Sequence, residues 1–300
     1  MNELNYAKTY SETLAQAFPY ALNFGALYAT ENNGRYRFKG GKTVEIPVIS
    51  TTGRSSGDRD TVDSLSRNYE NTWESKELSN ERKWSTLIHP ADVDETNYAA
   101  TISNITSVFN NEHKFPEMDA YTVSKIFNDC TSLGKSPKSV EITAENVLSL
   151  FDDMMAEMTE KRVPECGRIL YVTPTVMKLL KKASAINRSL DAKNANGEIN
   201  RTVTMLDGVA VVTVPTSLMK SNYVFDNNGF HEAENSSQIG MFLIHPESVI
   251  TPVSYEFACL DQPSAATGGK YVYYEESHED VFVLNNRVDG ISFVINPSEG

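Results

Sequence analysis

"YRFKGGKTVEIPVISTT", residues 36 to 52, is the stretch from which the architecture can be read. Gly40-Gly41 signals a turn, and after it Val44, Ile46 and Val48 alternate on one face, the period of a half-buried strand. Pro47 cannot donate to a ladder and so predicts an edge strand. The chain continues through "GRSSGDRDTVDSLS", Gly53 to Ser66, which is almost free of large apolar residues and reads as a solvated loop tip. It returns as "NYENTWESKEL", where Tyr69 and Trp73 share parity with Asn71. A lone two-stranded arm is marginal in water. Its presence predicts a support elsewhere, and a neighbouring chain is the expected one.

Upstream, Met1 to Asn33 mix small, aromatic and polar residues around Pro19 and Gly25 and read as an arm. Downstream, Tyr98, Ile102, Ile105 and Phe109 form one stripe of an amphipathic helix that starts near Asp94. Pro116 is expected to interrupt it. A second helical run, Met118 through Leu133, sets Val123, Ile126, Phe127 and Cys130 on one face and stops at Gly134. Together these runs span roughly 40 residues, up to about 60 Å if collinear, which reads as a spine.

A third helix is expected after "SPKSVEITAENV", with Thr143 as N-cap, a staple from Ile142 to Val147, and a core stripe of Val147, Leu150, Phe151, Met154, Met155 and Met158. "RILYV" reads as a strand, and Thr173-Pro174 as a helix start. "TVTMLDGVAVVTVP" is a strand pair turning at Asp207-Gly208. "IGMFLIHPESVITPVSYE" and "KYVYYEESHEDVFVLNNRVDGISFVI" add strands, the last two turning through Asn285 to Gly290. The class is α+β: a helical spine, a mixed lobe after it, and strands that return at the end.

The 300 residues carry 40 acidic and 27 basic side chains, a net charge of -13, which disfavours gripping nucleic acid or an anionic membrane. Cys130, Cys166 and Cys259 lie far apart with no C-x-x-C, so neither a disulfide framework nor a zinc knuckle is indicated. No basic region followed by an apolar block opens the chain, and no run approaches a membrane span. The expectation is a soluble, unexported protein with no membrane partner.

"HPADVDETN", His89 to Asn97, concentrates one imidazole and three carboxylates, Asp92, Asp94 and Glu95, the ligand chemistry of a metal-dependent hydrolase. The calcium-loop template fails, because Thr96 holds its third ligand position, Asn97 replaces the glycine and Ser103 stands where glutamate belongs. Capping explains the stretch more simply: Asp94 precedes the stripe, Val93 and Tyr98 have staple spacing, and Glu95 suits the first turn. "LGKS" at Leu133 to Ser136 lacks the upstream glycine of a phosphate loop, since Asp129 is there. No G-x-S-x-G surrounds a serine, and His89, His113, His231, His245 and His278 have no spacing that selects a base. No catalytic residue, cofactor or metal is expected.

The ordered set "EIPVISTTG … NTWESKELSNERKWSTLIHPADVDETN … KFPEMDAYTVSKIF", followed by "MFLIHPESVITPVSYE" and "HEDVFVLNNRVDGISFVI", resembles the major capsid proteins of tailed bacteriophages over nearly the whole chain. The resemblance implies an N-terminal arm at 1–35, an extended β-hairpin loop at 36–85, a peripheral domain with a long spine helix at 86–138 and 259–300, and an axial domain at 139–258. It implies a homo-oligomeric shell of hexamers and pentamers that encloses double-stranded DNA, assembled in a bacterial host and ending in the virion. Residues Arg54, Asp58, Arg59, Asp60 and Trp73 are then the expected inter-subunit contacts, and Asp94 the N-cap of the spine helix. Residues 53–66 hold no lysine, so the isopeptide weld of some relatives is not expected. The arm follows Met1 at once, which implies a separate scaffolding protein beside the portal. An encapsulin-like nanocompartment shares this fold and is the alternative; a metal-dependent hydrolase using His89, Asp92 and Asp94 is the remote one.

Overall fold

Alternation over residues 43–51 and 69–77 produces two antiparallel strands, and the rest of the fold is arranged around their base. The computed structural model describes residues 20–39, 42–54, 67–95, 101–183 and 203–297. In chain order, a short helix α1 (Gly25–Tyr28) precedes β1 (Arg37–Phe38), β2 (Thr43–Thr51) and β3 (Tyr69–Glu77), which form one sheet in that order. Pro47 lies opposite Trp73, and β1 reaches only as far as Glu45. Strand β2 is therefore central at its start and an edge from Pro47 onward, which is where a residue without an N–H is tolerated. Next, β4 (Glu81–Ile88) leaves the hairpin, so 81–85, expected in the extended loop, pair in a different sheet.

Helix α2 (Pro90–Glu95) is followed by α3 (Ile102–Phe109) and α4 (Phe115–Ser132). The expected break at Pro116 does not occur. Residues Asn110–Lys114 form a π-helical turn, and the backbone at Phe109, Asn110, Lys114 and Phe115 stays right-handed helical. The wider turn relieves the clash between the proline ring and a carbonyl one turn back. The helix thus runs from 102 to 132, about 46 Å at 1.5 Å per residue. It ends at Gly134, whose φ of +86° suits glycine, and Lys135 N–H donates to the Cys130 carbonyl at 3.0 Å.

The second lobe contains β5 (Lys138–Ser139), α5 (Val147–Glu160), β6 (Ile169–Val172), α6 (Pro174–Lys182), β7 (Met205–Leu206), β8 (Val209–Thr213), β9 (Tyr223–Asp226), β10 (Gly229–Glu232), β11 (Ile239–Ile244) and β12 (Val249–Ile250). The chain closes with β13 (Val253–Asp261), β14 (Tyr271–Glu279), β15 (Phe282–Val283) and β16 (Ile291–Ile295). A six-stranded sheet has the order β5-β16-β11-β6-β8-β7. Its central strands are apolar at nearly every position because both faces are covered. Leu170, Val172, Met241, Leu243 and Val294 meet the α5 stripe on one face. Tyr171, Phe242 and Phe293 meet α4, Phe24 and Leu27 on the other.

Three local expectations are met. The Thr173 hydroxyl accepts from Val176 N–H at 3.3 Å, capping α6. Asp207 and Gly208 both take positive φ, as a two-residue hairpin turn needs. Of the expected α5 stripe, Val147, Leu150, Phe151, Met154 and Met158 are buried and Met155 is half-buried. At Thr143 the chemistry differs from expectation: its carbonyl accepts from Val147 N–H at 3.1 Å, and its N–H donates to Asn146 Oδ1 at 2.8 Å.

Strand pairing crosses the expected boundaries. Strand β16, expected in the peripheral domain, lies inside the six-stranded sheet between β5 and β11. Strands β15 and β16 do not pair with each other: β15 pairs with β12, and a 3₁₀ turn at Asn285–Gly290 carries the chain between layers. Strand β13 runs across the expected 258/259 boundary into a three-stranded sheet, β13-β14-β4.

Candidate functional site

The hairpin has two unlike faces. Val44 is fully buried and Ile46 is 8% exposed, and they form a cluster with Leu78, Ile250, Phe282 and Leu284. The opposite face presents Pro47, Ile49, Tyr69 and Trp73, with Ile49 68% and Tyr69 58% exposed. The base of the hairpin therefore rests on its own chain, and its distal half has no support among the described residues. The sequence reading anticipated support from a neighbour for the whole arm.

Electrostatics stiffen the outer face. Glu45 accepts from Lys39 Nζ at 2.9 Å and from Arg37 Nη2 at 2.7 Å, and these hydrogen bonds hold its carboxyl below the ordinary range. So fixed, the Arg37 guanidinium lies 3.8 Å from the Trp73 ring centroid. Arg67 covers Tyr69 at 5.7 Å. The outer face is thus an apolar stripe edged by cations. Arg54 is exposed at the start of the tip. Asp58, Arg59 and Asp60 fall outside the described residues.

A buried carboxylate holds each junction around the spine. Asp280 accepts from Ser79 N–H at 2.7 Å, Tyr121 OH at 2.7 Å and Val281 N–H at 2.8 Å, which ties the base of the hairpin to α4. Asp119, fully buried on α4, accepts from Asn23 N–H at 2.9 Å, Phe24 N–H at 3.1 Å and the Tyr20 hydroxyl. Burial nevertheless raises the Asp119 pKa. Sequence reading missed both residues, because nothing in a local pattern shows which distant N–H groups a carboxylate will meet.

The stretch from His89 to Asn97 turns out differently from its reading. Asp94 is not an N-cap: it lies inside α2 and is exposed. The start of α2 is closed instead by His89, whose Nδ1 accepts from Ala91 N–H at 3.1 Å and whose carbonyl accepts from Asp92 N–H at 3.0 Å. The cap of α3 is Thr101, accepting from Asn104 N–H at 3.4 Å. The physical reason is that Pro90 is preorganised for a first helical position, so the chain enters a helix before Asp94 is reached. Among the described residues no group of three His, Cys, Asp or Glu side chains is placed to hold a metal ion.

A cavity of about 270 Å³ separates the spine from β4, β14 and the tip of the β9–β10 hairpin. Two ion pairs line it, Arg82 with Glu117 and Lys114 with Glu275 at 3.2 Å, and Trp84 stacks on Phe109 at 4.0 Å. The far face of the same sheet is open. Tyr255 and Phe257 are 44% and 42% exposed, and Leu87 is 62% exposed. No described helix is long and apolar enough to cross a membrane.

No family model matches the sequence, and no curated protein is similar to it. Solved structures are similar in fold. "Asymmetric unit of bacteriophage PhiM1 mature capsid" gives a TM-score of 0.68 at 13% identity, over 96% of this chain and 91% of that one. "Mycobacterium phage Che8" gives 0.65 at 14% identity, over 96% of both chains. "Capsid structure of the Cyanophage P-SCSP1u" gives 0.63 at 15% identity, over 97% and 92%. The chain has the α+β fold of tailed-phage capsid proteins, as the ordered sequence features led us to expect.

Proposed function

From that shared fold we propose that the chain is a major capsid subunit, which assembles with copies of itself into an icosahedral shell of hexamers and pentamers around double-stranded DNA. The observation that carries this reading is the half-supported hairpin. Its distal apolar stripe has no apolar partner among the described residues, and burial on a second copy would remove Ile49, Tyr69 and Trp73 from water. Arg54, Asp58, Arg59 and Asp60 are the proposed polar contacts at the tip, and Trp73 the proposed anchor.

In this reading residues 36–77 form the extended loop, α3 and α4 the spine, and the six-stranded sheet with α5 and α6 the axial lobe. The net charge of -13 suits a wall that surrounds DNA without gripping it. Closed symmetry multiplies weak contacts, so each can be modest while the shell persists. Portal and scaffolding proteins are the proposed further partners, and the virion the proposed location. The proposed role is structural, without a catalytic step.

The test is deletion of Gly53 to Asp60 with negative-stain microscopy of co-expressed protein. Wild type is expected to give closed shells and the deletion soluble subunits. Normal shells from the deletion would overturn the role of the loop, and no shells from wild type would overturn the function.

A further inference from the structure

Among the described residues three strands of eight or nine residues have one side unpaired along their whole length: β3, β4 and β13. An open edge invites pairing with another chain, and proteins that must prevent this place charges, especially lysine, or proline along it. Strand β3 carries Glu70, Glu74, Lys76 and Glu77, and β4 carries Glu81, Arg82 and Lys83. Strand β13, "VSYEFACLD", has no lysine, arginine or proline, and its only charges are Glu256 and Asp261. Its side chains are left in water: Val253, Tyr255 and Phe257 are each more than 40% exposed. No described backbone group bonds residues 254–261 apart from strand β14.

We infer that the β13 edge is an interface that pairs with β13 of a second copy, antiparallel about a twofold axis at Phe257. A twofold axis perpendicular to the sheet keeps like faces together, so residues of the same parity stand opposite each other. The register centred on Phe257 overlaps residues 255–259 of both copies, clear of the irregularity between Val253 and Tyr255. It places Glu256 opposite the partner copy's alanine at position 258, and leaves Asp261 beside the irregular end of the other strand. No acid meets an acid, whereas centring the axis on Glu256 would set two carboxylates together.

The same register extends an existing side-chain row. Tyr255 and Phe257 already stack at 6.3 Å, Phe257 meets Tyr274 at 6.3 Å, and Tyr255 meets His278 at 5.3 Å. Pairing brings a second such aromatic row alongside and merges two three-stranded sheets into one of six strands. The inference adds a contact between copies to the capsid reading and does not use the hairpin.

Cysteine cross-linking tests it on the full chain. In the register proposed, Tyr255 lies opposite Cys259 of the other copy. The variant Tyr255→Cys is made with Cys166→Ser to remove the exposed thiol, and oxidised with copper phenanthroline both as free subunits and as sedimented particles. A disulfide-linked dimer is expected in at least one fraction, at tenfold or more the yield of the Cys166→Ser parent, and is lost on adding Cys259→Ser. Phe257→Cys with Cys166→Ser and Cys259→Ser should link to itself, so either variant suffices if the other folds poorly. An off-register pair, Tyr255→Cys with Asp261→Cys, Cys166→Ser and Cys259→Ser, should link at least tenfold less. Equal yield from the off-register pair, or no dimer in either fraction, overturns the inference. Linked free dimers without any shell would sink the capsid reading and leave this one standing.

Discussion

Ile46 and Ile49 lie three residues apart on β2 and point to opposite faces, one 8% and the other 68% exposed. The same truncation should therefore have opposite consequences at the two positions. Ile46→Ala removes three carbon groups from the cluster with Ile250, Phe282 and Leu284. At about 0.8 kcal/mol per group the transfer loss is about 2.4 kcal/mol, and the cavity left behind brings the total to about 3 kcal/mol. Ile49→Ala changes a side chain already in water and should cost less than about 0.5 kcal/mol in the free subunit. If Ile49 is buried on a second copy in the shell, its loss there is about 2 kcal/mol per contact, about 25-fold in each contact's equilibrium constant. Urea unfolding of free subunits measures the first pair of numbers, and the particle fraction after sedimentation measures the last. The reasoning fails if Ile49→Ala destabilises the subunit as much as Ile46→Ala, or if particle yield is unchanged by it.

Further outcomes follow from buried polar groups. The Tyr171 hydroxyl makes no hydrogen bond among the described residues and sits in the core beside Phe24 and Phe242; Tyr171→Phe should raise unfolding free energy by about 1 kcal/mol in urea titration. Arg168, 1% exposed, donates to the carbonyls of Pro164, Met155 and Val163 around the end of α5; Arg168→Met should lower stability by about 3 kcal/mol, read as a lower urea midpoint. Burial raises the Glu279 carboxyl pKa, with Glu256 adding to the rise and Lys114 opposing it. A folded-state pKa above the unfolded one means that its contribution improves as pH falls through the folded value, so the wild type should gain more stability than Glu279→Gln between pH 7 and pH 5, and the variant should be the more stable at pH 7. Glu45, held low by Lys39 and Arg37, acts in the other direction, its contribution being lost only as pH drops below the ordinary glutamate range.

Where one residue and its near neighbours decide the structure, the sequence was sufficient. The α5 stripe, the Thr173-Pro174 start and the Asp207-Gly208 turn are local choices of period, cap and backbone sign. Where two nearby signals competed, it misled: Asp94 looked like a cap until Pro90 began a helix five residues after Ser85, and Pro116 looked like a break because a π turn has no sequence signature of its own. Pairing between distant segments was the least legible. Nothing in "ISFVI" states that it will lie beside "IGMFLI", and nothing in "EMDAY" tells Asp119 that it will meet the amides of Asn23 and Phe24. The hairpin stripe was half legible, since the parity of Tyr69 and Trp73 was visible but the register that adds Pro47 and Ile49 to it was not.

Strand β16 carries one last implication, for the order in which the protein can be built. It sits between β5 and β11, yet residues 291–295 leave the ribosome after every other strand of that sheet. While the chain is still being made, β11 keeps one flank open, and Phe242 and Met241 lack the neighbours Phe293 and Val294 that cover them in the finished fold. A nascent or prematurely terminated chain can form the hairpin and the spine but cannot close its largest sheet. Completion of that sheet therefore waits on the synthesis of residues 291–295.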